Sequence, residues 1–211
     1  MREPKNFDYL QDDTRKLLFE LRDHAEFLKK YSLVGGSALA LYLCHRKSED
    51  LNFFTFEDVY EKREILHFCQ RFSRFEVLNE SQDQLDLLIE GVKTTFFNAR
   101  WSFLKPEKKE PLNVASLDSI AAMKVNVLFL RAKYRDYYDV YFLADKVFDL
   151  SALYETSKRV VPGLTKKLFC IALTYIDDIE DDNILHLEPA VQLSKQDIRS
   201  FFEDKIKQML G

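Results

Sequence analysis

The stretch Leu33-Val34-Gly35-Gly36-Ser37-Ala38-Leu39 has the chemistry to hold an anion. A short apolar strand that stops at two glycines and reopens as a helix lets the backbone approach a phosphate. It also aims the first helical amides at that phosphate, and Ser37 adds a hydroxyl. Asp50 follows Ser37 by 13 residues and stands at the head of a second apolar run, Leu51 to Phe56. A phosphate cradle beside a carboxylate suits a Mg²⁺–nucleotide, because Mg²⁺ takes one or two carboxylates and completes its shell from phosphate oxygens. Further along, Arg131 and Arg135 are spaced so that on a single helix each would fall within about 20° of Lys124, as one basic stripe. Asp136 and Asp139 follow it. Each pattern also has a plainer reading: a capped turn, a strand-edge carboxylate, a solvated helix face, an acidic first turn. It is the combination, in this order, that favours a nucleotide site.

The elements that must position these residues can be read from periodicity. Leu17, Leu18, Leu21, Ala25 and Leu28 predict a helix over 12–30. Tyr31 to Val34 reads as a buried strand, with a helix opening at Ser37 and a second strand over Leu51 to Phe56. Asp58 would cap a helix running to about Phe72. Three strands follow, at Phe75 to Leu78, Leu85 to Ile89 and Val92 to Phe97, the last two joined through Glu90-Gly91 as a hairpin. The charged, proline-bounded stretch Lys105 to Pro111 marks a boundary. Beyond it the pattern is helical, over 116–133, 136–147, 151–159, 164–176 and 195–210, with no strand signal after residue 97. Tyr134, Tyr137, Tyr138 and Tyr141 recur at helical spacing, which suits a core more often than a partner surface. The fold class is α+β, a mixed sheet with flanking helices followed by a helical C-terminal half, divided as 1–112 and 113–211.

Composition bounds the rest. The 211 residues are 46% hydrophobic and 31% charged, with only five Gly and five Pro, which excludes collagen-like and disordered classes. A net charge of −4 gives no global positive field, so nucleic acid could be held only by a local patch. Cys44, Cys69 and Cys170 form no C-x-x-C pair, and His24, His45, His67 and His186 have no ligand spacing, which argues against a disulfide framework or a zinc site. No secretion signal and no stretch of ~20 apolar residues is present. The expectation is a cytoplasmic protein with reduced thiols and no membrane partner.

Taken together, G-G-S-A-L-A-L-Y-L-C-H-R-K-S-E-D-L-N-F-F from Gly35 to Phe54, and K-V-N-V-L-F-L-R-A-K-Y-R-D-Y-Y-D from Lys124 to Asp139, resemble the AbiEii/AbiGii-type nucleotidyltransferases. These belong to the polymerase-beta-like superfamily and include toxins of type IV toxin–antitoxin systems. The resemblance spans about residues 30 to 145. It implies transfer of NMP from a Mg²⁺-bound NTP to an RNA or protein acceptor, with an antitoxin protein as partner. By position, Gly35, Gly36 and Ser37 would hold the triphosphate, and Arg46, Ser48, Arg131 and Arg135 would add nucleotide contacts. Asp50 would be the first metal ligand, Lys124 would neutralise phosphate charge and Asp136 would stand at the later acidic position. The helical domain would complete the nucleotide cleft. Two positions depart from the pattern: Asn52 replaces the second metal carboxylate, and Thr95 falls where the third belongs, with Asp86 or Glu90 on the neighbouring strand as substitutes. The alternative implied is a catalytically degenerate member, a pseudoenzyme that binds a nucleotide or a partner.

Overall fold

A computed structural model describes residues 6–57, 60–105, 111–181 and 183–211. The expected cap at Asp58 and most of the charged stretch at 105–111 lie outside the described residues. The chain divides into two compact units, Met1–Ser116 and Leu117–Gly211.

In the first unit, helix α1 (Asp12–His24) ends at Ala25, and a 3-10 turn (Glu26–Lys30) continues toward strand β1 (Ser32–Val34). The single helix expected over 12–30 is therefore two pieces. The apolar stripe runs unbroken through Leu28, so periodicity could not show the break. The break lets Phe27 and Tyr31 both reach the Phe96 ring, at 5.8 and 5.4 Å between centroids. Helix α2 (Gly35–Leu43), strand β2 (Leu51–Thr55) and helix α3 (Lys62–Cys69) follow. Then come β3 (Phe75–Glu80), β4 (Gln84–Ile89), β5 (Val92–Asn98) and β6 (Asn113–Val114).

The sheet order is β3-β4-β5-β2-β1-β6, mixed, with β2–β5 and β1–β6 parallel and the other pairs antiparallel. Strand β6 corrects the expectation of no strand after residue 97. A two-residue strand carries no alternation to read, and its pairing with Ser32 and Leu33 keeps it in the first unit. The hairpin at Glu90-Gly91 has φ of 49° and 86° at its two turn residues, the left-handed pair that matches strand twist.

Alternation divides the sheet into two unlike faces. Leu51, Phe53, Leu85, Leu87, Ile89 and Phe96 are buried on one, where Phe96 also stacks on Phe53. Asn52, Phe54, Gln84, Asp86 and Phe97 point the other way and are only half-buried. All candidate site residues on the sheet belong to this second face.

The second unit is helical, with α4 (Leu117–Leu130), α5 (Tyr134–Lys146), α6 (Leu150–Ser157), α7 (Lys166–Thr174) and α8 (Lys195–Leu210). Its core includes Tyr137, Tyr138, Leu143, Leu153, Phe169 and Phe202. Buried tyrosine hydroxyls need acceptors. Tyr137 and Tyr138 donate to the carbonyls of Ala172 and Val191, each at 2.9 Å. These rings are core. Among the described residues, no helix is long and apolar enough to cross a membrane.

Candidate nucleotide site

At the Gly-Gly turn three side chains, Asn52, Arg46 and Ser48, fill the space that a Cβ would need. Gly35 has φ +71°, and a Cβ on it would lie 3.1 Å from Asn52 Nδ2. A Cβ on Gly36 would lie 2.6 Å from Arg46 Nη2 and 3.3 Å from Ser48 Oγ. The helix α2 therefore opens with bare backbone, and first-turn amides have no acceptor within their own helix. Unpaired first-turn amides of this kind can receive an anion.

The polar side chains expected to touch the phosphates are mostly turned inward. Ser37 is fully buried; its hydroxyl donates to the Asp50 carbonyl, and its Oγ lies 3.0 Å from Ser48 Oγ. Arg46 is buried over Gly36, and its Nη1 donates to the Lys47 carbonyl at 2.8 Å. The backbone of Ser48 is held from both sides, its N–H donating to the Tyr9 carbonyl and its carbonyl accepting from Gln11 N–H, each at 2.9 Å. Thr14 Oγ1 donates to the Glu49 carbonyl at 2.8 Å. Ser37, Arg46 and Ser48 thus form a strut that fixes the glycine turn against the entry to β2, where Asp50 sits half-buried.

Register extends the site across the sheet. Val34 pairs with Asn52, Asn52 with Thr95, Thr95 with Asp86 and Asp86 with Asn79, one row over five strands. Side chains in such a row share a face. Thr95 Oγ1 donates to Asp86 Oδ1 at 2.6 Å, while Gln84 Nε2 and Asn79 Nδ2 donate to Asp86 Oδ2 at 2.8 and 3.3 Å. Glu90 is committed at the hairpin, accepting from the Arg74 backbone N–H at 3.0 Å. That bond and the Arg74 guanidinium hold the Glu90 carboxyl below the ordinary range. Of the two substitutes named for the missing carboxylate, only Asp86 lies in the row.

In the second unit the expected residues come together differently. Lys124 is buried, with Nζ 3.1 Å from Asp136 Oδ1 and 2.5 Å from Asp139 Oδ2, both carboxylates fully buried. Arg131 Nε lies 3.2 Å from Asp136 Oδ2. Burial alone would raise the Asp136 carboxyl, but Lys124 and Arg131 outweigh it and hold it below its ordinary range. Two cations and two carboxylates balance, so Lys124 and Asp136 spend their charge on each other. The single basic stripe does not form. Helix α4 ends at Leu130, Ala132 turns left-handed at φ 41°, and Arg135 belongs to α5. Apolar residues run up to the end of α4, so nothing in the pattern announced the stop.

Comparison with known proteins agrees with this architecture. The model of the nucleotidyl transferase AbiEii toxin family, of the type IV toxin–antitoxin system, matches residues 92–210, more than half of the chain. The chain belongs to that family. Its glycine turn and Asp50 precede the matched residues. An uncharacterized protein of Aquifex aeolicus (strain VF5) is 31% identical over 207 residues, covering 93% of this chain and 98% of its own. Two solved structures share the fold. One is a Helicobacter pylori protein provisionally assigned as a nucleotidyltransferase, with TM-score 0.51, 18% identity, and 92% and 96% of the two chains covered. The other is the antibiotic-resistance factor ANT(2'')-Ia, with TM-score 0.53, 13% identity, and 70% and 91% covered.

Nucleotidyltransferases of this family use a divalent metal. Among the described residues, no group of three or more His, Cys, Asp or Glu side chains gathers to hold one. What Asp50 and Asn52 offer is a carboxylate and an amide carbonyl beside the glycine turn that opens α2. That hard-oxygen donor set fits a Mg²⁺ ion whose remaining ligands come from the substrate.

Proposed function

We propose that this protein transfers NMP from an NTP to an RNA or protein acceptor, as the toxin of a toxin–antitoxin pair. One observation carries the reading: the Cβ-free turn at Gly35 and Gly36 is packed against Asp50 and the strand β2 that follows it, in a chain of a nucleotidyltransferase family. In this reading the amides of Gly35, Gly36 and Ser37 bind the triphosphate. Arg46, Ser48 and the Ser37 hydroxyl keep those amides aimed. Asp50 and Asn52 would hold a Mg²⁺ ion, which when bound neutralises phosphate charge and polarises the phosphorus. The testing experiment is calorimetric titration of the four NTPs, each with Mg²⁺ and with EDTA, into wild type and Asp50→Ala. Mg²⁺-dependent binding lost in the variant is the expected result; metal-indifferent binding, or none, would defeat the reading.

A second reading has its own support. Asn52 and Thr95 occupy two positions where the family pattern carries carboxylates, and a neutral pair there favours nucleotide or partner binding without transfer. Incubation with α-phosphate-labelled NTPs and cell extract separates the two. Label carried onto RNA or protein supports the enzyme, and binding without any transfer supports the degenerate member.

A further inference from the structure

We infer that Asp86 supplies the second carboxylate of this site, displaced by one strand from the position where Thr95 stands. The inference deepens the proposed nucleotide-binding reading and rests on it.

The row of paired residues puts Asp86 directly beside Thr95 and on the same face as Asn52, two residues after Asp50. Adjacent strands lie about 4.8 Å apart, so moving a carboxylate by one strand displaces its backbone by that much. The structure recovers part of the distance through the side chain. Asp86 Oδ1 lies 2.6 Å from Thr95 Oγ1, over the position the family pattern reserves for the third carboxylate. Thr95 is the right size for this, because a hydroxyl leaves room for the incoming oxygen and donates to it. A carboxylate at residue 95 would instead oppose Asp86 at contact distance and repel it.

Three donors fix the orientation of Asp86 without exhausting it. A carboxylate has about four lone-pair sites, two on each oxygen. Gln84 and Asn79 take both on Oδ2, whereas Oδ1 receives only Thr95 among the bonds described here. The oxygen with an open lone pair is thus the one drawn to Thr95, the residue paired with Asn52. Gln84 and Asn79 act as positioning residues: they pull Oδ2 back and leave Oδ1 forward.

The experiment uses the full-length protein and inorganic tripolyphosphate, which offers the phosphates without a base. Its affinity is measured by calorimetry with Mg²⁺ and with EDTA, for wild type, Asp50→Ala, Asp86→Asn and the relocated pair Asp86→Asn/Thr95→Asp. The inference expects Asp86→Asn to lose about 10- to 100-fold in the Mg²⁺-dependent affinity, while binding in EDTA stays unchanged. It expects the relocated pair to regain Mg²⁺ dependence, since the carboxylate has only moved one strand toward Asn52. Retention of Mg²⁺ dependence by Asp86→Asn, with loss in Asp50→Ala, overturns the role of Asp86 and leaves the site reading standing. Wild-type binding that ignores Mg²⁺ overturns both. If Asp86→Asn unfolds, the relocated pair decides alone: recovery of Mg²⁺ dependence supports the inference and its absence defeats it.

Discussion

The two units use the same residue types to opposite ends. In the first unit, Asp50 and Asp86 are half-buried, and the Asp86 carboxylate accepts from the neutral donors Thr95, Gln84 and Asn79. In the helical unit, Asp136 and Asp139 are fully buried and closed around Lys124. A carboxylate held by neutral donors on an accessible face keeps its charge available to a ligand. A carboxylate sealed against a lysine has already found its counter-ion, and its work is to hold helices together. Charge alone does not mark a functional site; its remaining electrostatic capacity does.

The largest expected effect tests the closed cluster. Lys124→Met removes the cation shared by two buried carboxylates. Breaking a buried pair from one side costs about 3–5 kcal/mol, so urea unfolding should show a loss of that order. A loss below about 1 kcal/mol would mean the lysine is not the clamp. The cluster also sets a pH dependence. Asp136 is held below its unfolded carboxyl value, so the unfolded chain binds more protons and stability rises with pH. That contribution is complete above about pH 5 and drains away as pH falls through the lowered folded value. Urea midpoints from pH 6 down to pH 3 should fall more steeply in wild type than in Asp136→Asn.

The next effect tests the strut behind the glycine turn. In Gly36→Ala the new methyl would sit 2.6 Å from Arg46 Nη2. Arg46 is buried and cannot swing into solvent, so the variant should lose about 1–3 kcal/mol, typical of overpacking. Nucleotide binding should fall with it, because the same displacement moves the first amides of α2. Gly36→Ala with wild-type stability and wild-type NTP binding would show that the close approach has no role. A smaller loss, about 1.5 kcal/mol, is expected for Thr95→Val, which keeps the shape and deletes one hydrogen bond to the Asp86 carboxylate.

Much of the sheet site could be read before any coordinates. The glycine pair, Asp50 and the two-residue hairpin were all visible as types and spacings. The hairpin even contained the pairing that matters: Asp86 and Thr95 each stand four residues outside Glu90-Gly91, so a two-residue turn must set them opposite one another. That register argument places Asp86 and excludes Glu90, and it needed only the turn type. The helical unit resisted because its contacts run between elements. The pairing of Lys124 with Asp139 depends on where α4 ends, and Ala132 gives no warning of a left-handed residue. The direction of the Ser37 hydroxyl is hidden from the sequence for a related reason. Its hydroxyl faces Asp50 because β1 and β2 lie side by side, a relation that local pattern does not carry.

The smallest stability change should belong to the residue with the greatest functional weight. Asp50 stands half-buried at the mouth of β2, and the Ser37 hydroxyl donates to its backbone carbonyl. Asp50→Ala keeps that carbonyl and so keeps the bond from Ser37. Its cost should be about 1 kcal/mol, the centre of the range for point substitutions. Against this, Mg²⁺-dependent NTP binding should disappear. The contrast with Lys124→Met is the decisive one, since that variant should unfold early yet leave the sheet-face donors chemically intact. Were Asp50→Ala instead to melt like Lys124→Met, the carboxylate would be structural, and the distinction drawn between an open and a closed set of charges would collapse.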